Sequence, residues 1–344
     1  MEETVKKIVA DFLKNETVIA IEKLKSGLIN STYLVETSGG KYILQKMNQK
    51  VFPNIQALIN NKAKITSFLK ANNFKTIEFL SSKNGKWYTE DGDDIWQLSK
   101  FIPSTVQFRI PSAGVAEMVG DYLAKFHEAL LDFPVKELGY TIPDFHNTIK
   151  RYNDFLKSIE TATLERKEIA KDSIAFFQNN FHIIEKVAND INNEIIPLRV
   201  THNDTKIGNM LFDEKGDILC IIDFDTIMPG SIFHDLGDTL RTGANTSTEE
   251  EKDLSKVCLD IEIYKAVMNG YIKKGNDFMT KEEKDNIQLS LPLLLFEQGC
   301  RFLSDYLNND VYYDTIYESQ NLVRAKTQIK LFEEIIKYQE KYPR

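Results

Sequence analysis

Apolar residues at the start of the chain recur with helical spacing. Val5, Ile8, Val9, Phe12 and Leu13 fall on one face, which predicts an opening amphipathic helix. The pattern then becomes strand-like. Residues 22–25 read as a strand, Ser26-Gly27 as a turn, and Thr32-Tyr-Leu-Val-Glu36 as a second strand. Gly39-Gly40 predicts a hairpin whose returning strand is Lys41-Tyr-Ile-Leu-Gln-Lys46. Helical spacing returns over 54–72, where Ile55, Leu58, Ile59, Ile65, Phe68 and Leu69 share a side. Two further strands, 87–90 and 95–101, flank the turn Asp91-Gly92-Asp93. The first hundred residues therefore read as a small sheet with about two helices.

From Pro111 onward long helical periods dominate, over 113–130, 145–159, 166–188, 252–274, 281–307 and 320–338. One short β region interrupts them, at 211–223. The change of texture falls at Ile102-Pro103, where a proline suits a hinge. The expected organisation is a sheet-rich lobe, 1–102, followed by a helical lobe, 103–344, with a strand pair set into the second. No repeat or low-complexity tract is visible.

Composition narrows the function. The chain has 42% hydrophobic and 27% charged residues, as a globular protein does, and a formal charge of -8 from 43 basic and 51 acidic residues. Nucleic acid is not an expected partner, because no basic cluster is large enough to displace counterions from a polyanion. A nucleotide remains compatible, since a divalent cation can join carboxylates to phosphates. Cys220, Cys258 and Cys300 are scattered and make neither a disulfide framework nor a metal motif; Cys220, in an apolar run, reads as core. The N-terminus has no stretch of signal-peptide character, and the most apolar segment, 291–296, is too short for a bilayer. A cytoplasmic protein, monomeric or weakly dimeric, without a membrane partner, is expected.

The chemistry concentrates in Thr201-His-Asn-Asp-Thr-Lys-Ile-Gly-Asn-Met-Leu-Phe212 and Ile221-Ile-Asp-Phe-Asp-Thr226. Phosphoryl transfer asks for a carboxylate aimed at the acceptor hydroxyl and for oxygen ligands that hold metal ions on the phosphates. Asp204 lies in a polar loop between apolar runs, and Asn209 offers a neutral amide oxygen. Asp223 ends an apolar strand and supplies a hard carboxylate. The rival reading is plainer: Asp204 and Asn209 cap turns, and Asp223 ends a strand.

His202-x-Asp204-x4-Asn209, followed by the strand ending at Ile222-Asp223, resembles the signature of the aminoglycoside-phosphotransferase and choline-kinase group, whose fold is similar to that of protein kinases. The resemblance implies an α+β, protein-kinase-like two-lobe fold, with a small antiparallel-sheet N-lobe and a larger, mostly helical C-lobe. Gly27-Leu-Ile-Asn30 with Thr32-Tyr33, His202 to Lys206, Asp223 to Gly230, Asp235-Leu-Gly-Asp238 and Arg241 resemble, more narrowly, the subgroup that phosphorylates N-acetylhexosamines at C1. Arg301-Phe-Leu-x-Asp-Tyr306 and Gln320-Asn-Leu-x-Arg-Ala325 add to it. What this implies is ATP and Mg2+ as cofactors, Asp204 as catalytic base, Asn209 and Asp223 as magnesium ligands, and His202 as a support for the catalytic loop. Lys206, Asp225 and Asp235 join it as supporting residues.

On the nucleotide side, Gly27 and the strand after it can place backbone N–H groups over phosphates. Asn30, Thr32, Gln45, Lys46, Ser99 and Phe101 are the further ATP candidates, with adenine expected against 97–101. Gln45 stands where several relatives have a lysine, and alternation lets only one of Gln45 and Lys46 face the nucleotide. For the acceptor, Asp204, Arg241, Arg301 and Tyr312 are the candidates. Arg301 could equally pair with Glu297 or Asp305. Asp235 could cap a helix. The tyrosines at 306, 312, 313 and 317 could stack on a sugar or simply pack. His127 reads as a core residue, and His146, His182 and His234 share no metal spacing. The two arginines disfavour a cationic acceptor, so a neutral amino sugar is expected over choline, homoserine or an aminoglycoside. A nucleotide-binding pseudokinase is the remaining alternative.

Overall fold

The computed structural model describes residues 2–24, 30–106, 109–110 and 112–343. Gly27 and Pro111 lie outside the described residues. The chain divides into two compact units. One holds Met1–Thr105, Asp132–Pro143 and Leu211–Pro229, and the other Val106–Leu131, Asp144–Met210 and Gly230–Arg344.

The first unit begins with helix α1 (Glu2–Phe12) and an antiparallel sheet of β1 (Val18–Lys23), β2 (Ser31–Thr37), β3 (Gly40–Lys46), β4 (Thr89–Asp91) and β5 (Asp94–Lys100), in the order β1-β2-β3-β5-β4. Val5, Ile8, Val9 and Phe12 of α1 pack on Tyr33, Val35, Tyr42, Leu44, Trp96 and Leu98. Register settles which way the end of β3 faces. Leu44 pairs with Leu98 and Lys46 with Trp96, so Lys46 lies on the α1 face, where its Nζ meets Asp94 at 2.6 Å. Gln45, paired with Gln97 and Thr32, lies on the opposite face. Helix α2 (Ile55–Ala71) is capped at Asn54, whose side chain accepts the Ala57 N–H.

The second unit is helical: α3 (Ala113–Ala129), α4 (Thr148–Thr161), α5 (Leu164–Ile169), α6 (Lys171–Asn192), α7 (Ile232–Gly243), α8 (Ile261–Gly275), α9 (Lys281–Asn286), α10 (Ser290–Leu307) and α11 (Gln320–Lys341). Three expected periods divide. The period 166–188 is split between α5 and α6, and 252–274 becomes a helix only after Asp260 caps it. The period 281–307 breaks through a short 3-10 turn, with Pro292 in the first turn of α10 where a missing N–H is tolerated. The segment of Asp235 starts earlier than expected, because Ser231 caps α7 at the Phe233 N–H. Asp235 is therefore not the cap.

Helices α3 and α8 approach backbone to backbone at two glycines. A Cβ on Gly120 would lie 2.0 Å from the Val267 carbonyl oxygen, and one on Gly270 would lie 2.0 Å from that of Glu117. The mutual approach leaves no flexible atom to give way, so Gly270→Ala should overpack the seam by about 1–3 kcal/mol. A denaturant melt of that variant is expected to show a lower midpoint, with the far-ultraviolet helical signal retained.

Candidate functional site

The loop 201–209 in the second unit is fixed by one buried carboxylate. Asp235 Oδ2 accepts the His202 N–H at 2.9 Å, and Oδ1 accepts the Asn203 N–H at 2.6 Å. Its own backbone carbonyl receives the Thr205 hydroxyl at 2.5 Å, and Thr239 bonds the Thr205 carbonyl at 3.0 Å. His127 Nε2 lies 2.9 Å from Asp235 Oδ2, and its Nδ1 lies 2.8 Å from the Tyr271 hydroxyl. Burial alone would raise the Asp235 carboxyl. The hydrogen bond and charge of His127, aided by His202, outweigh it and hold the group below the usual range. His127 is thus buried as expected, yet it is a polar link rather than packing. The glycine seam between α3 and α8 brings its two ends together.

This bracing lets Asn203 occupy a left-handed conformation, φ 65°, and presents the next residue, Asp204. Its Oδ2 accepts Lys206 Nζ at 2.6 Å and Asn209 Nδ2 at 2.9 Å, while its N–H approaches His202 Nδ1 at 3.3 Å. Burial pushes this carboxyl up, but the Lys206 charge and hydrogen bond win, with His202 and Asn209, and the net shift is downward. Asp204 is a half-buried anion at neutral pH. Because Asn209 spends its amide nitrogen on Asp204, its carbonyl oxygen Oδ1 is the atom left to accept or ligate.

In the first unit, Asp223 also has a left-handed backbone, φ 65°. Asp225, two residues on, is buried and bonded by both Lys62 Nζ and Asn30 Nδ2. Asn61 donates to the carbonyls of Ile227, at 2.8 Å, and Gly139, at 2.7 Å. Two adjacent residues of α2 thus hold the 223–227 turn. Asn30 also accepts the Asn48 N–H at 2.9 Å. Thr32 and Ser99 are buried on β2 and β5, and the Phe101 N–H bonds the Lys41 carbonyl at 3.0 Å.

The acceptor candidates separate. Arg241 is buried and bound to Asp238, at 2.7 Å, and to Glu249. That geometry makes it a structural tie. Arg301 forms neither expected ion pair; it bonds Gln298 Oε1 at 2.6 Å and lies over the rings of Phe145 and Tyr313. Glu297 gives its oxygens to His146 and Thr148, each at 2.6 Å, and Asp305 gives its own to the N–H groups of 311–313. Tyr306 is buried, whereas Tyr312 is 64% exposed. Cys220 is buried, as expected. Among the described residues no cluster of three His, Cys, Asp or Glu side chains has metal-holding geometry, and no helix is long and apolar enough to cross a membrane.

Sequence reasoning passed over Lys62 and the group formed by His146, Glu297 and His234. A signal existed for both. Lys62 sits on the apolar stripe of its helix, and Glu297 directly follows the most apolar segment.

The phosphotransferase enzyme family model matches residues 20–256. The chain belongs to that family. Similar solved structures carry the same fold at low identity. A spectinomycin phosphotransferase in complex with ADP and spectinomycin is 14% identical, with 94% of this chain and 93% of that one covered and a TM-score of 0.61. A choline kinase from Streptococcus pneumoniae is 15% identical, with 98% and 99% covered and a TM-score of 0.58. An ethanolamine kinase from Plasmodium vivax is 17% identical, with 90% and 81% covered and a TM-score of 0.55. The fold is kinase-like, with an antiparallel-sheet N-terminal region and a helical C-terminal region.

Two predictions follow from the buried groups. Lys62→Met should leave Asp225 as a buried carboxylate held by Asn30 alone, at a cost of about 3–5 kcal/mol in chemical denaturation. Adding Asp225→Asn should recover part of that loss. His234 is buried, and burial, then the His146 ring stacked at 4.7 Å, lowers it to about 3. In the unfolded chain this imidazole takes a proton near pH 6.5, so acidification from there toward 3 favours unfolding, by up to about tenfold in equilibrium constant per pH unit. Melting temperatures of wild type and His234→Gln, compared between pH 7 and 5, should show a shallower fall in the variant.

Proposed function

We propose that this phosphotransferase is an ATP- and magnesium-dependent kinase of a small hydroxylated metabolite, an N-acetylhexosamine phosphorylated at its C1 hydroxyl. The observation that carries the reading is Asp204, an ionised carboxylate on a loop braced through Asp235, clamped by Lys206 and Asn209. A loose phosphoryl-transfer transition state needs an alcohol oriented and its proton accepted late, more than it needs a strong base. A carboxyl held below its usual range suits that task. Lys206 keeps Asp204 charged until the proton arrives at Oδ1 or Oδ2.

The residues present fit magnesium by donor chemistry. Asn209 Oδ1 and the Asp223 carboxylate are hard oxygens of the kind this ion takes. Asp225, spent on Lys62 and Asn30, is a buttress for the turn rather than a ligand. When bound, magnesium neutralises phosphate charge as the bond to the leaving oxygen breaks. Thr32, Gln45, Ser99 and the backbone near Phe101 are the nucleotide contacts in this reading, while Asn30, its amide spent on Asp225 and the Asn48 N–H, buttresses the turn. Lys46 drops out, because its face of the sheet carries α1.

An amino-alcohol or aminoglycoside kinase is the second reading, favoured by the acceptors named for the choline, ethanolamine and spectinomycin enzymes. Arg301, with Arg151 nearby, opposes a cationic acceptor by like-charge repulsion. ADP release measured over free sugars and amino alcohols separates the two. Stimulation by N-acetylglucosamine or N-acetylgalactosamine is expected, and robust turnover only with an amino alcohol would refute the sugar reading. Asp204→Asn should keep the fold and nucleotide affinity while kcat falls at least about 10²-fold.

A further inference from the structure

Two guanidiniums in the second unit converge on Phe145, neither of them in an ion pair among the described residues. Arg151, on α4, donates from Nη2 to the Phe145 carbonyl at 3.1 Å. Arg301, on α10, lies 5.2 Å from the centroid of the Phe145 ring and 5.8 Å from that of Tyr313. Among the described residues neither has a carboxylate within ion-pair distance. The two nearby acids are occupied: Glu297 by His146 and Thr148, and Asp305 by three backbone N–H groups and the Asn321 amide. The Tyr313 hydroxyl is buried with no hydrogen-bond partner. Burial, and after it the neighbouring Arg301 charge, pushes the Arg151 guanidinium below its usual range. For Arg301, burial is outweighed by Tyr313, Glu297 and Tyr312 together, and that guanidinium lies above its own.

Chance side-chain placement explains this arrangement poorly. Like charges repel, and a buried hydroxyl without a partner is costly. Glu297 offers the two guanidiniums its charge from a distance but no ion pair, and the Tyr313 hydroxyl has no partner. The location is informative too. The Phe145 ring packs on that of His146, 4.6 Å away, and His146 Nε2 lies 3.0 Å from the Asn203 carbonyl, next to Asp204. A group seated on the arginines would therefore belong to a molecule beside the catalytic loop.

We propose that Arg151, Arg301 and Tyr313 form a subsite for an oxyanion substituent, carboxylate or phosphate, on the acceptor. The forked N–H donors of a guanidinium match the paired oxygens of either group. The Tyr313 hydroxyl supplies a third donor. The inference deepens the kinase reading and rests on it: the sugar is an acidic derivative, with its anionic substituent away from the hydroxyl that Asp204 addresses.

The test compares acids with their neutral parents. Glucuronate with glucose, galacturonate with galactose, and a 3-O-carboxyalkyl ether and the 6-phosphate of N-acetylglucosamine with N-acetylglucosamine itself would be titrated calorimetrically in the presence of magnesium and a non-hydrolysable ATP analogue. At least one acid is expected to bind roughly tenfold more tightly than its parent. Arg151→Met and Arg301→Met should each cut that advantage below about threefold, without changing the parent's affinity to the same degree. The carboxylate and phosphate arms tell which oxyanion is meant. Should either variant fail to fold, raising salt from about 0.02 to 0.5 M on the wild type must erode the acid's advantage by screening. Parents binding as well as every acid would overturn the subsite, as would an advantage that survives in both variants or in high salt. Binding is read without turnover, so failure of all acceptors to release ADP in a separate assay would count against the kinase reading alone.

Discussion

A single buried carboxylate organises the 201–209 loop. Asp235 uses both oxygens on consecutive backbone N–H groups, those of His202 and Asn203, and its own carbonyl accepts from Thr205. Three residues of the loop, His202, Asn203 and Thr205, are thereby referenced to one point on α7. An unpaired charge at that depth would neutralise or unfold its surroundings. The charge persists because His127 and two backbone dipoles compensate it, and His127 is itself oriented by Tyr271. The chain of dependence ends at Gly120 and Gly270, where any larger residue would part α3 from α8. A packing constraint remote from the chemistry thus decides whether Asp204 is presented correctly, since small displacements of a positioned group are expensive in rate.

The first unit solves a related problem with its charges exchanged. Kinase-like folds commonly place a lysine on the third strand and an acid on the following helix. Here β3 offers Gln45, while the buried lysine is on α2 and the acid, Asp225, belongs to the turn after Asp223. The attraction between the two is the same whichever element carries which sign. What changes is the object it positions: α2 grips the metal-loop candidate directly, with Asn61 doing the same through the Ile227 carbonyl. A glutamine on the strand is then tolerable, because orienting the 223–227 turn does not require a cation there.

How much of this was readable in the chain depends on the range of the interactions involved. Helices α1, α2 and α3 and strands β2, β3 and β5 followed from local periodicity and caps, and the Asp204, Asn209 and Asp223 pattern stood out in one linear segment. The breaks within 166–188 and 281–307 did not, since helical spacing survives an interruption of one residue, Ala170, or three, Ile287–Leu289, and is broken only in three dimensions. Nor did the role of His127, whose partners Asp235 and Tyr271 lie more than a hundred residues away. Spacing rules placed Arg301 opposite Glu297 or Asp305, but both acids were already saturated by groups from other segments. A titratable group has few partners to give, and competition among distant segments for them is invisible along the chain.

The same reasoning bears on why family membership leaves the acceptor open. Phosphoryl transfer is satisfied by a handful of groups whose positions are dictated by the phosphate and the in-line geometry. In the proposed reading those groups are on the 201–209 loop of one unit and the 223–227 turn of the other, each braced by buried ion pairs and hydrogen bonds that a change of acceptor need not disturb. In the proposed subsite the acceptor's outer end is met instead by α4, α10 and the loop around Tyr313, where side chains off the core can change while Phe155, Phe177 and Phe296 keep the core closed behind them. Arg151 and Arg301 stand on these helices, half-buried against Phe145. A leucine or methionine would fill the same space at lower electrostatic cost but would lose those polar contacts. Two cations without an ion pair, on the same unit as the 201–209 loop, are intelligible if the paired oxyanion arrives with the substrate, as proposed above.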